Sequence, residues 1–299
     1  MFAKRNLLID VISGALRVLP SFKGKTRLIR LINRALLMVG INPVIECQFL
    51  DQTRFVVDLR SRTEAVPCYL GNYDQKTQKF ATSLVKEGSV VLDVGANIGF
   101  FAVPLARVVG ESGKLFCFEP LPSNFSRLKE NLKLNGYETR ATCSQIALSD
   151  STGDLKLGLY GDFKSGGSTG NAVPMAAGQP TPFSEIVVPR MMLDAWVKEQ
   201  NLSKIDFIKI DIEGHEDCFF RGATHSIDTF RPIILGEFSE GHMGYKGVDV
   251  DHFFSHFFVP RNYIPFLVRE GKITPVKSLK GRMNDEDILL LPQEKKFDL

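Results

Sequence analysis

The chain has 299 residues, 44% of them hydrophobic and 24% charged, the composition of a globular protein able to bury a sizeable core. Its net charge of +3 is too small to name a polyanionic partner, and no apolar run reaches the ~20 residues that span a bilayer. Five cysteines without a C-x-x-C pair point to reduced thiols in a reducing, cytoplasmic compartment rather than a disulfide framework.

Residues 5–18 and 25–39 read as two amphipathic helices separated by Pro20 and Gly24. Residues 1–34 carry eight Lys/Arg against one acid, Asp10, which leaves 29 basic and 33 acidic residues in the rest. The positive charge is thus concentrated in an N-terminal arm. Leu7–Leu19 is interrupted by Asp10 and Arg17 and is followed by no small-residue cleavage site, which argues against a secretory signal. The apolar stripes Leu7, Leu8, Val11, Ile12, Ala15 and Leu28, Leu31, Ile32, Ala35 call for burial. Packing on the body or in a homodimer is the favoured expectation, and peripheral contact with an anionic membrane the alternative. A hairpin follows, Val44–Leu50 with Arg54–Leu59, and then a helix over Gln75–Lys86.

From there the pattern is regular. Strands are expected at Val90–Val94, Leu115–Glu119, Ala141–Leu148 and Leu155–Leu159, with helices at Gly99–Val109 and Ser123–Asn135 between the first three. Residues 161–185, rich in Gly, Ser, Thr and Pro, read as a long loop, a lid over an acceptor. The helices Met192–Glu199, Glu216–Thr224 and Val250–Phe258 then alternate with the strands Ile205–Ile210, Pro232–Glu237, Ile264–Val268 and Ile288–Leu291. Alternation of this kind implies right-handed crossovers and a doubly wound, mostly parallel α/β sheet. The expected division is an arm and hairpin over 1–70 and a nucleotide-binding domain over 71–299 with the insertion 161–185.

The most informative stretch is Val90-Val91-Leu92-Asp93-Val94-Gly95-Ala96-Asn97-Ile98-Gly99-Phe100. A buried strand ends in an acid and runs through a glycine turn into a helix, where ligands of open α/β sheets bind. About twenty residues past Gly99, Glu119 ends the second strand, suited to both hydroxyls of a ribose. A dinucleotide fingerprint needs glycine at 97 and 100, where this chain has Asn97 and Phe100. Asp93 would repel a pyrophosphate but can pair with the ammonium of a methionine moiety. The cofactor expected is therefore S-adenosylmethionine rather than NAD.

These residues, with Phe118-Glu119-Pro120 and Asn124, Ala147-Leu148-Ser149-Asp150, Leu193-Asp194, and Ile208-Lys209-Ile210-Asp211-Ile212-Glu213-Gly214-His215-Glu216, resemble the FkbM family of class I methyltransferases. The similarity runs from about Gly71 to Leu291. It implies a seven-stranded sheet with the last strand antiparallel, and methyl transfer to a hydroxyl oxygen of a sugar, glycan or natural product. Where the family often has Tyr-Glu before the first strand, this chain has Tyr73-Asp74. The candidate cofactor residues are Asp93, Gly95, Ala96, Asn97, Gly99, Glu119, Pro120, Asn124, Gln145 and Asp211. The candidate catalytic residues are Lys209, Asp211, Glu213, His215 and Glu237. His215 starts a helix, whose N-terminus would keep the imidazole neutral and able to accept a proton. Lys209 is expected to pair with Asp211 or Glu237, and Asp211, Glu213 and Glu216 could instead serve the helix N-terminus. Three acids at adjacent strand ends could hold Mg²⁺, although no metal is expected. A nucleic-acid acceptor is not expected, because the D/N-P-P-Y/F motif is absent and the body is net acidic. The intact Asp93, Gly95, Gly99 and Glu119 argue against a non-catalytic interaction module.

Overall fold

The computed structural model describes residues 4–161, 172–175, 179–238, 240–279 and 287–295. The N-terminal part consists of α1 (Leu7–Val18), α2 (Lys25–Met38), the hairpin β1 (Val44–Gln48) and β2 (Arg54–Asp58), and α3 (Arg62–Leu70). After α4 (Gln75–Ser83) come β3 (Val90–Val94), α5 (Ala102–Val109), β4 (Lys114–Phe118), α6 (Pro122–Leu134) and β5 (Ala141–Ser144). Four short strands follow, β6 (Ala147–Leu148), β7 (Gly153–Leu159), β8 (Ala172–Pro174) and β9 (Ser184–Met191). The chain continues through α7 (Leu193–Gln200), β10 (Phe207–Ile210), α8 (Glu216–Arg221), α9 (Thr224–Phe230), β11 (Ile233–Glu237), α10 (Glu240–Gly244) and α11 (Val250–Phe257). It closes with β12 (Tyr263–Arg269), β13 (Lys272–Pro275) and β14 (Asp287–Pro292).

The main sheet has the order β13-β12-β14-β11-β10-β3-β4-β5. Strands β5, β4, β3, β10 and β11 are parallel, and β14 lies antiparallel between β11 and β12. The sheet has eight strands rather than the seven that the resemblance implies: the last strand, β14, is antiparallel as expected, β13 is the extra one at the edge, and the strand expected over Leu155–Leu159 lies in a second sheet. The order reverses between β3 and β10, which opens a crevice at the carboxyl ends of those two strands. Successive residues of each strand feed opposite faces. Val91, Cys117, Phe207 and Leu235 join α5, α6 and the arm in one apolar cluster. Leu92, Phe116, Ile208 and Ile234 join α7, α8, α9 and α11 in the other. Burial on both faces explains why these strands read as continuous apolar runs.

Four expectations are corrected. The strand expected over Ala141–Leu148 is two strands in two sheets. β4 ends at Phe118, opposite Ser144, so the chain has no ladder to follow, turns at Gln145, and pairs Ala147 with Arg190 of β9. This second sheet, β6-β9-β7-β8, takes in part of the stretch read as a loop; residues 162–171 and 176–178, and with them the reading as a lid, lie outside the described residues. The helix expected over Glu216–Thr224 breaks into α8 and α9. A Cβ on Gly222 would sit 1.9 Å from the Ser149 carbonyl oxygen, so this glycine admits the 149–150 backbone where the helices part.

The fourth correction concerns the arm. α1 buries Ile9, Ser13 and Leu16, and α2 buries Ile29 and Asn33. Leu7, Leu8, Val11, Leu28 and Leu31 of the expected stripes are exposed instead. Polar contacts chose the inward faces. Arg17 donates to the carbonyls of Cys68 (2.9 Å), Gln48 (3.0 Å) and Tyr69 (3.2 Å), two of them in the last turn of α3. Asn33 donates to the Leu59 carbonyl at 2.7 Å and accepts from the Tyr69 hydroxyl at 3.1 Å. Losing such buried partners costs more than leaving a few aliphatic side chains in water. Asn131 on α6 ties this part to the crevice. It accepts from Val56 N of β2 at 2.7 Å and donates to the Ile98 carbonyl at 2.8 Å.

Candidate active site

The crevice is an open cleft with walls from both sheets and from α3. Its floor is the turn after β3. Gly95 has φ +81°, and a Cβ there would lie 1.9 Å from the Asp211 carbonyl oxygen. Only glycine lets the strand ends of β3 and β10 close this tightly. Gly95 N and Ala96 N both donate to the Phe118 carbonyl, at 2.9 and 3.0 Å. Asn97 is also left-handed, with φ 50°, and donates its N–H to Glu119 Oε2 at 2.9 Å, while Leu121 N donates to Oε1 at 2.9 Å. Glu119 is thereby fixed at the cleft wall with lone pairs to spare. Burial still lifts its carboxyl to about 7, against the Leu121 and Asn97 amides that favour the charged form.

Asp93 is fully buried, lines the cleft, and has no hydrogen-bond partner for either carboxylate oxygen among the described residues. Burial raises its carboxyl to about 6, opposed by Lys209. A buried carboxylate with no donor is costly and calls for an unseen partner, here a cationic one. Asn124 is similar, 2% exposed with its Oδ1 unpartnered among the described residues. Lys209 stands beside Asp93 in the β10–β3 ladder. Its Nζ bonds Asp211 Oδ2 at 3.0 Å and lies 4.8 Å above the Phe101 ring. Burial alone would lower its ammonium, but Asp211 and then Asp93 outweigh it and hold the pKa above its ordinary value. Of the two partners expected for Lys209, the structure shows Asp211.

His215 also lines the cleft, with Nε2 2.9 Å from Ser149 Oγ and Nδ1 buried without a partner among the described residues. Ser149 Oγ donates in turn to Asp150 at 3.3 Å. The imidazole is held neutral, pushed down to about 4, by burial first and by Lys246 second. The helix end credited from sequence is thus not the main cause. Glu216 folds back, its Oε1 accepting from Gly214 N at 3.2 Å and Ile212 N at 3.3 Å. It braces the loop that carries Glu213, which has φ 55° and faces the cleft.

The cleft therefore gathers Asp93, Gly95, Ala96, Asn97, Glu119, Pro120, Asn124, Lys209, Asp211, Glu213 and His215. Gly99, Gln145 and Glu237 are not on it. Gly99 sits behind the turn, Gln145 between β5 and β6, and Glu237 opposite Asp287 in the β11–β14 ladder. Among the described residues no three His, Cys, Asp or Glu converge as metal ligands. Sequence reasoning missed Thr63 and Glu64, which α3 brings to the cleft. Glu64 is buried, pairs with Arg127 of α6, and accepts from Asp58 N at 2.7 Å. The Ser61-x-x-Glu64 spacing, a helix-start signature, was the available clue. Also missed was the apolar wall of Leu155, Leu157, Ala172 and Pro174 from the second sheet.

A family model described as the methyltransferase FkbM domain matches residues 93–263, more than half of the chain. The 2-O-methyltransferase NoeI of Sinorhizobium fredii is 29% identical over 184 residues, 57% of this chain and 71% of that protein. The hexuronic acid methyltransferase AglP of Haloferax volcanii is 28% identical over 172 residues, 55% of this chain and 61% of that one. The 31-O-demethyl-FK506 methyltransferase FkbM of Streptomyces tacrolimicus is 29% identical over 154 residues, 44% and 58% of the two chains. A crystal structure of an FkbM methyltransferase from Methylobacillus flagellatus is similar at 18% identity and a TM-score of 0.47, covering 73% of this chain and 48% of that chain.

Proposed function

Because the chain belongs to the FkbM methyltransferase family, we propose that it methylates a hydroxyl oxygen of a sugar, glycan or other natural product, using S-adenosylmethionine. The observation that carries this reading is Asp93, a buried carboxylate without a donor beside a turn that only glycine can make. The residues present fit the cofactor. Asp93 would take the methionine ammonium, the free lone pairs of Glu119 the ribose hydroxyls, and the backbone of Gly95 and Ala96 the close approach of the chain between them. Asn124 Oδ1 is left as a further acceptor. The relatives act on a hexuronic acid and on demethyl-FK506 by their names, and the acceptor class proposed here follows theirs. Residues 71–299 form the catalytic body in this reading, and 1–70 brace it. No metal is invoked.

S-Adenosylmethionine supplies a methyl group on a cationic sulfonium. The chain's own residues align the acceptor oxygen with it and receive its proton. As the new C–O bond forms, the acceptor oxygen becomes strongly acidic, so even a weak base suffices. The neutral imidazole of His215, which lines the cleft, is the proton acceptor. Lys209 keeps Asp211 in an ion pair and so withdraws it from that task. Incubating glycan and metabolite extracts with methyl-labelled cofactor, followed by mass spectrometry, should find label in methyl ethers. Label confined to nucleic acid or to carboxyl esters would refute the acceptor class.

A further inference from the structure

The outward face of α1 carries no charge. It presents Leu7, Leu8, Val11, Gly14, Ala15 and Val18, with Leu7 78%, Val11 63% and Val18 87% exposed. The outward face of α2 sets Leu28, Leu31 (59% exposed), Ala35 and Met38 (73% exposed) alongside Arg27, Arg30 and Arg34. Phe22 is exposed in the link between the helices, next to Lys23. Such a run of aliphatic side chains in water is unfavourable unless something covers it.

We propose that α1 and α2 seat the protein on an anionic lipid bilayer. Aliphatic side chains flanked by arginines are the arrangement that lies in a membrane interface, apolar groups in the acyl boundary and cations among phosphates. The charge of the arm selects this occupant. Asp10 is its one acid, and Arg5 holds it at 3.1 Å, so nothing on the arm answers Lys23, Arg27, Arg30 or Arg34. A two-fold contact between copies would set the same patch against itself and bring these cations face to face. A phosphate surface neutralises them. The groove between α2 and α3 continues the pattern, lined by Arg30 and Arg34 together with Ile29, Leu37 and Val66. Both helices of the arm pack on α3, whose Thr63 and Glu64 line the cleft, so the seat lies one helix away from the chemistry.

Sedimentation of the full chain with vesicles tests this. The protein should pellet with phosphatidylglycerol-containing vesicles at about 0.1 M salt, not with phosphatidylcholine alone, and be released at about 1 M salt. The triple variant Arg27→Gln/Arg30→Gln/Arg34→Gln should lower the partition coefficient about 100-fold, at about fivefold per cation. Val11→Asn/Leu31→Asn should lower it tenfold or more. All five positions are exposed, so unchanged binding of the demethylated cofactor, S-adenosylhomocysteine, certifies the fold of each variant. Failure to pellet with any vesicle, equal binding to both vesicle types, or a lipid-free dimer that Val11→Asn/Leu31→Asn dissociates would each overturn the proposal.

Discussion

Gly95→Ala should abolish cofactor binding and destabilise the fold by roughly 3–5 kcal/mol. A Cβ cannot remain 1.9 Å from the Asp211 carbonyl oxygen, and that oxygen belongs to the backbone of the neighbouring strand end. Either β10 moves away from β3 or the turn opens. Asp211 N donates to Val94 O at 3.0 Å and Gly95 N to Phe118 O at 2.9 Å, so a shift at this point breaks the crossing that holds three strands together. The left-handed φ of +81° adds about 1–2 kcal/mol for any L side chain. Gly99→Ala is the contrasting case. It has φ +98°, which strains any L side chain, but its nearest neighbour is the Leu128 Cδ1 methyl at 3.0 Å, the end of a side chain rather than backbone. Thermal melts and cofactor titration of both variants should rank them in that order. A Gly95→Ala protein with wild-type melting and affinity would mean that the turn does not set the cleft.

His215→Ala should lower turnover about 10²-fold or more while leaving cofactor affinity nearly unchanged. The imidazole follows the end of β10, and its neutrality comes from burial and from Lys246. With a conjugate acid near 4, it stays an acceptor at any neutral pH, so the turnover profile of the wild type should show no loss from His215 between pH 6 and 8. Ser149→Ala should weaken turnover less, because it removes the group that orients the ring and not the ring itself. Steady-state kinetics decide the point. Full activity in His215→Ala would move proton acceptance to Asp211 or Glu213.

The parts of this protein that were legible in the sequence are those whose determinants are contiguous. Val90–Val94, Gly95, Gly99 and Glu119 are a local grammar of strand, turn and next strand end, and Asp93, Val94, Gly95 and Glu119 meet on the cleft. Lys209 and Asp211 lie two residues apart on one strand, so their pairing could be anticipated. What stayed hidden depends on distant partners. Glu64 meets Arg127 across 63 residues, and α3 itself is masked by Pro67 in its middle. The second sheet forms because Ala147 loses the β4 ladder and finds Arg190, which no window of sequence reveals. The apolar count of α1 and α2 suggested which faces to bury, but Arg17 and Asn33 decided otherwise through carbonyls of α3 and the hairpin.

The most direct test of the central claim is a calorimetric titration with S-adenosylmethionine and with NAD at several pH values. Burial disfavours the charge of Asp93 and pushes its carboxyl up to about 6. A proton therefore competes with the methionine ammonium below that pH, and affinity should rise with pH through about 6 and then level off. The stability of the fold should change in the opposite sense. A raised carboxyl contributes stability that is present below its ordinary pKa of ~3.9 and lost as pH rises through about 6. At neutral pH the account expects micromolar binding of S-adenosylmethionine, ~8 kcal/mol, and no heat with NAD. Binding of NAD, or no binding of S-adenosylmethionine at any pH, would contradict it.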